Sequence, residues 1–247
     1  MWLLANDDGI HAPGLKALMQ AVSQLAEFVV VAPAANRSGA SNALTFDKPL
    51  RVEQVDEQRY AINGTPTDCV HLAINGLLGK DPQRVISGIN AGANLGDDAL
   101  YSGTLAAAVE GRFLAQPAVA FSVTSWLPDH WDAATEVVLR VLRRIDRLQL
   151  PPRTVLNVNI PNVALDQIRG LRLTRLGHRL RASDVVPTVD PRGRRAFWIG
   201  VAGDPADSGE GTDFHAIANN YVSITPIHAD ITRYDTFSAL QAWLDDF

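Results

Sequence analysis

Short runs that are apolar on both faces recur along this chain: Trp2 to Ala5 (WLLA), Phe28 to Pro33 (FVVVAP), Val85 to Asn90 (VISGIN), Ala118 to Val123 (AVAFSV) and Thr154 to Pro161 (TVLNVNIP). A strand apolar on both sides has to be covered on both sides, as happens in a parallel sheet carrying helices on each face. Helical spacing fills the intervals. Leu15, Leu18, Met19, Val22 and Leu25 follow Pro13, and further patterns run from Thr104 to Ala115 and from Trp131 to Ile145. Strand, helix and parallel strand joined by right-handed crossovers make a doubly wound α/β fold the expectation.

Two stretches break the alternation. Residues 43 to 63 carry period-two patterning and turn residues, which predicts an antiparallel insertion. Immediately afterwards Thr65-Pro66-Thr67-Asp68 has the form of a helix start, with Thr65 as N-cap. From 169 to 200, Arg169, Arg172, Arg175, Arg179, Arg181, Arg192, Arg194 and Arg195 crowd around two strand-like pieces, LRLTRL and AFWIG. This segment is expected to form an extended, exposed hairpin, with a place near substrate or a partner subunit as the alternative. Near the end, Phe237, Leu240, Trp243, Leu244 and Phe247 form the apolar stripe of an amphipathic helix that must pack on this chain or a neighbour.

With 247 residues, 47% hydrophobic and 20% charged, the chain can bury one large core and needs no disulfide to do so. The single Cys69, in an apolar helical context, is expected to be a core residue and not a nucleophile. No apolar run reaches the roughly 20 residues of a membrane span, and the beginning of the chain lacks a signal-peptide pattern, so a cytoplasmic protein is expected. A net charge of -5 offers no global attraction to nucleic acid, and a small anionic ligand would need a local positive site such as a cation or exposed backbone amides.

Ligands of open parallel sheets bind beyond the carboxyl ends of the strands. Three such ends are rich in oxygen donors: Asn6-Asp7-Asp8-Gly9, PAANRSGASN, and INAGANLGDDALYSGT. Adjacent carboxylates such as Asp7 and Asp8 repel, and burial aggravates it, so they persist solvated, protonated or neutralised by a cation. Carboxylate, amide and hydroxyl oxygens suit a hard divalent ion such as Mg²⁺ or Mn²⁺, and the scattered histidines have no zinc-like spacing. His11 lies near the acidic turn and is a weaker candidate. Further on, Ser102, Gly103 and Thr104 sit where a loop becomes a helix, a place where backbone N–H groups can hold phosphate or where Ser-Gly-Thr simply caps the helix. Neither a P-loop nor a G-x-G-x-x-G pattern is present. The adjacency of the acids also departs from the haloacid-dehalogenase scheme, in which the second Asp lies two residues on.

Together, LLANDDGIHAPGL, VVAPAANRSGASNALT, GTPTDCV, VISGINAGANLGDDALYSGTLAAAVEG and YVSITPI resemble the successive signature blocks of the SurE family of stationary-phase survival proteins, and they span nearly the whole chain. The resemblance implies a Rossmann-like three-layer sandwich in a single domain over residues 1–247. It also implies metal-dependent hydrolysis of nucleoside 5'-monophosphates, with 3'-nucleotides and short polyphosphate as further substrates. Carried over by motif, the ligands of one divalent cation (Mg²⁺, Mn²⁺ or Ca²⁺) are Asp7, Asp8, Ser38 and Asn90. For the hydrolysis itself, Asn94, Ser102, Gly103 and Thr104 are expected to hold the phosphoryl oxygens that the cation does not. One of the acids, Asp8 for choice, also orients or deprotonates water. The resemblance further implies a dimer or tetramer built through the 169–200 hairpin and a 233–247 C-terminal arm. Ala5 and Ala93 replace a usual Ser and Pro, and the start is one residue shorter; none of these removes a ligand. The alternative from another class, a receiver-type phosphate sensor, would need an acceptor Asp where this chain has Asn90.

Overall fold

A computed structural model describes residues 1–245. Its elements are β1 (Trp2–Ala5), α1 (Pro13–Val22), β2 (Phe28–Pro33), β3 (Val52–Gln54), β4 (Arg59–Ile62), α2 (Pro66–Leu72), β5 (Val85–Ala91), α3 (Gly103–Glu110), β6 (Ala118–Val123), α4 (Trp131–Ile145) and β7 (Val155–Ile160). Beyond these come β8 (Leu171–Leu173), β9 (His178–Arg179), β10 (Val186–Val189), β11 (Arg195–Trp198), β12 (Pro205–Asp207), α5 (Asp213–Ala218), β13 (Val222–Ile227) and α6 (Phe237–Leu244).

Nine strands form the central sheet in the order β3-β4-β2-β1-β5-β6-β7-β13-β8. From β4 to β7 every pairing is parallel, while β3 and β13 run antiparallel to β4 and β7. The all-apolar runs lie where their composition requires: β1, β6 and β7 are buried along their whole length. One core lies between the sheet and the Leu15/Leu18 face of α1 with the Val138/Leu142 face of α4. The other lies beneath α2 and α3, built on Cys69, Val70, Leu105 and Ala108. Burial pushes the Cys69 thiol well above its ordinary pKa, as a core residue. The chain leaves β1 for β2 on one side and returns to β5 on the other, and α1 and α3 cover opposite faces. This reversal opens a crevice between β1 and β5, where such folds bind ligands.

Several expectations change in detail. The 43–63 insertion is partly absorbed: β3 and β4 are antiparallel to each other, but β4 pairs parallel with β2 and extends the main sheet. The helix expected from Thr104 to Ala115 stops at Glu110, with Gly111 at its C-cap and a 3₁₀ turn to Phe113. In the Arg-rich segment, LRLTRL and AFWIG do not pair with each other. Leu171–Leu173 becomes an edge strand beside β13, and the exposed hairpin is β10 with β11. Val186, Val189, Phe197 and Trp198 stand exposed on it, as do Phe237, Leu240, Trp243 and Leu244 on α6. Phe247 lies outside the described residues.

Candidate metal and phosphate site

Asn6-Asp7-Asp8-Gly9 forms a tight turn because its first residue staples its last. The Asn6 side-chain amide donates to the Gly9 carbonyl (2.9 Å), and Gly9 N–H donates back to Asn6 Oδ1 (3.3 Å). Gly9 has φ +105°, which a residue without Cβ adopts freely. The turn aims the two acids differently. Asp7 is buried, 3% exposed, and accepts a hydrogen bond from the Thr104 hydroxyl. Asp8 is half-buried and bridges two strand ends: Oδ2 accepts from Ala91 N–H (3.2 Å) and Oδ1 from Asn36 Nδ2 (3.3 Å).

Burial raises the Asp7 pKa from 3.8 to about 6, against the Thr104 hydrogen bond and with the help of the neighbouring Asp8 charge. Burial pushes Asp8 up as well. Among the described residues no Lys, Arg or His forms an ion pair with either acid. Two carboxylates side by side, one of them sealed from water, therefore lack a counter-charge of their own.

The other candidate ligands converge on this point. Asn90 is the penultimate residue of β5, next to the register shift between Ser87 and Asn90, and its Nδ2 donates to the Gly92 carbonyl (2.8 Å), so Oδ1 is the atom that could ligate. Ser38 reaches the acids through Asn36: its Oγ (2.8 Å) and N–H (2.9 Å) both donate to Asn36 Oδ1, whose own amide nitrogen holds Asp8. The set is all oxygen, with exposed Ser38 on the open side, and it fits a hard divalent cation. Among the described residues no group of three or more His, Cys, Asp or Glu side chains is placed to hold a metal ion. His11 is exposed on the surface.

The phosphate candidates are close by, with their groups already partly committed. Ser102 caps α3, its Oγ accepting from Leu105 N–H (3.0 Å). The Thr104 hydroxyl is directed to Asp7, and the Thr104 N–H also acts on that carboxylate. The N-terminus of α3 therefore already faces an anion, namely Asp7, and what it can offer a phosphate is main-chain N–H with Gly103 foremost. Gly103 lies so close to Asp7 that a Cβ there would sit 2.8 Å from Asp7 Cβ and 3.1 Å from Pro66 Cγ. Asn94 is buried in an amide network. Its N–H donates to Asn159 Oδ1 (2.8 Å), its Nδ2 to Ser122 Oγ (2.7 Å), and its carbonyl accepts from Asn157 (2.9 Å) and Asn159 (3.1 Å).

Thr65-Pro66-Thr67-Asp68 is a complete capping box, and Asp68 also ties Thr45 to α2. Three supporting residues escape sequence reasoning. Asn36 lies inside the NRSG block, but only the fold shows that it joins Ser38 to Asp8. Asn6 could have been found as the first residue of the acidic turn. Buried Asp213 had no signal: its carboxylate accepts from Gly96 N–H (2.7 Å), across 117 residues, and from Gly177 N–H (2.9 Å), so it anchors the loop that leads into α3.

Comparison with known proteins identifies the family. Residues 2–183 match the family model described as survival protein SurE. The protein named 5'-nucleotidase SurE from Ectopseudomonas mendocina is 56% identical over 243 residues, covering 98% of both chains. Its namesake from Methylococcus capsulatus is 56% identical over 242 residues, 98% of this chain and 96% of the relative. A crystal structure of the SurE protein from Aquifex aeolicus superposes with a TM-score of 0.86 at 40% identity, covering 99% of each chain.

Proposed function

The chain belongs to the SurE family, and from that premise we propose that it is a metal-dependent phosphomonoesterase that hydrolyses nucleoside 5'-monophosphates to nucleoside and phosphate. The observation that carries the reading is the adjacent acid pair, without a cationic partner among the described residues, of which Asp7 is buried and hydrogen-bonded to the first turn of a helix. Asp7, Asp8, Asn90 Oδ1 and Ser38 Oγ are the residues that hold the cation, of which Mg²⁺, Mn²⁺ and Ca²⁺ are the candidates. When bound, the cation supplies Lewis-acid polarisation of the phosphoryl group and of water.

The chain's own groups divide the remaining work. Asp7, fixed by Thr104 and sealed from solvent, serves as a ligand only. Asp8 is half-exposed and held by Ala91 and Asn36, so it is the carboxylate able to orient the attacking water and take its proton. Gly103 offers its main-chain N–H to a phosphoryl oxygen, where the helix dipole favours negative charge, while Thr104 shapes that turn through Asp7. Ser102 holds that turn in shape through its cap, and Asn94 fixes the approach of the loop. Substrates extend to 3'-nucleotides and short polyphosphate. The exposed apolar residues of β10, β11 and α6 are the contact surfaces of a dimer or tetramer that works in the cytoplasm.

Phosphate release from 5'- and 3'-nucleotides in Mg²⁺, Mn²⁺ or Ca²⁺ tests the proposal. Turnover of 5'-monophosphates that stops in excess chelator and in Asp8→Asn is expected. Undiminished turnover in chelator, or none with any of the three ions, refutes it.

A further inference from the structure

Five of the eight arginines of residues 169–200 fall into two groups. Arg175 pairs with Asp207 (2.5 Å), Arg179 with Asp98 (2.7 Å) and Arg194 with Asp190 (2.6 Å). Arg169 and Arg172 belong to a different arrangement: both guanidiniums lie over the Tyr221 ring, 4.9 and 4.4 Å from its centre. Among the described residues neither makes an ion pair with a carboxylate. The Arg172 guanidinium, and behind it Arg169, draws the Tyr221 phenol below its ordinary pKa.

These three residues line a cavity of about 390 Å³, together with Thr212, His215 and Asn219 beside α5. That volume lies within the about 300–1,000 Å³ typical of small-ligand pockets. Among the described residues Glu210 is the single carboxylate in the lining, and it is exposed and pairs with neither arginine. Arg172 lies in β8, five strands from β1, so at about 4.8 Å per strand the cavity is roughly 24 Å from the acid pair across the sheet. It is not a part of the metal site.

Arg169 and Arg172 are exposed, and two cations against one ring still repel each other, so the relief is opposite in sign to that at Asp7 and Asp8. A dianion matches the pair in charge, whereas a monocarboxylate matches one arginine only. Planar guanidinium forks bind the tetrahedral oxygens of phosphate in pairs. A net charge of -5 disfavours a long polyanion. We propose that the Arg169/Arg172/Tyr221 cavity is a second anion site that takes a phosphate-type dianion, free or as a nucleoside monophosphate, independently of the metal centre.

The test is calorimetric titration of inorganic phosphate and, separately, of AMP into metal-free protein in chelator at low ionic strength. The wild type and Asp8→Asn are expected to show the same saturable binding. The double variant Arg169→Gln/Arg172→Gln is expected to weaken it at least tenfold while leaving metal-dependent turnover at low substrate unchanged. Equal affinity for the two probes identifies inorganic phosphate as occupant, and AMP binding tenfold tighter identifies the nucleotide; either supports the site. Should the double variant fail to fold, Arg169→Lys/Arg172→Lys keeps both charges without the forks and is expected to weaken binding severalfold. Binding absent from the wild type, unchanged in the arginine variants, or lost in Asp8→Asn overturns the proposal, and none of these results bears on hydrolysis at the metal site.

Discussion

Replacing Asp7 by Asn should stabilise the metal-free protein and abolish its stabilisation by metal. Burial holds the carboxyl at about 6 in the fold against 3.8 when unfolded. At about 1.4 kcal/mol per pH unit, ionising Asp7 inside the protein costs about 3 kcal/mol at neutral pH. The sign follows from proton binding. Between pH 3.8 and about 6 the folded protein holds a proton that the unfolded chain has released, so wild-type stability falls as pH rises through that window and levels off above it. An Asn side chain removes this slope. Its NH₂ group places a donor where the carboxylate accepted from the first turn of α3, which returns about 1 kcal/mol. The net gain is about 2 kcal/mol, or roughly 4–8 °C in Tm for a chain of this size. With Mn²⁺ at a hundred times its Kd the wild type should gain about 2.7 kcal/mol and the variant almost nothing. Thermal melts in chelator and in Mn²⁺, at pH 5 and pH 7.5, read all four numbers. A variant less stable than wild type in chelator at pH 7.5, or one that Mn²⁺ stabilises to the wild-type extent, refutes the picture of a buried acid awaiting a cation.

Gly103→Ala puts a Cβ within 2.8 Å of Asp7 Cβ; overpacking of this kind costs about 1–3 kcal/mol, and metal titration by calorimetry should show at least a tenfold weaker site. Asp213→Asn turns one of its acceptor oxygens into a donor facing a main-chain N–H, at a cost of about 1–3 kcal/mol by urea denaturation. Because Gly96 belongs to the loop that enters α3, turnover of AMP should fall several-fold while Mn²⁺ affinity holds; an equal loss of both contradicts that placement. Asp8→Asn should lower kcat even at Mn²⁺ concentrations that saturate it, measured by steady-state phosphate release.

Which parts of the fold are legible in the sequence depends on how local their causes are. The strands Trp2–Ala5, Phe28–Pro33 and Ala118–Val123 and the helix Trp131–Ile145 end where their patterns end, since apolar runs and helical stripes are set by burial against whatever covers them. The capping box at Thr65 is likewise a matter of four adjacent residues. LRLTRL carries the right strand chemistry and still misleads, because its partner is β13, about fifty residues on, and not the nearest strand-like piece. Pairing is a long-range choice that β propensity leaves open.

The site follows the same division. Adjacent acids announce a charge problem, and Ser102-Gly103-Thr104 announces a helix start, each within a few residues. That the two are one structure depends on a hydrogen bond between residues 97 positions apart, from Thr104 to Asp7. This contact changes what the motif means: a turn that sequence presents as a cradle for phosphate is first of all the mount for the buried acid. It also separates the two carboxylates, which sequence leaves equivalent, since the one that Thr104 holds has no access to water while its neighbour does. The same reasoning from unpaired like charges leads from Asp7 and Asp8 to a cation and from Arg169 and Arg172 to an anion. In both places the informative observation is a pair of adjacent equal charges with which no described residue forms an ion pair.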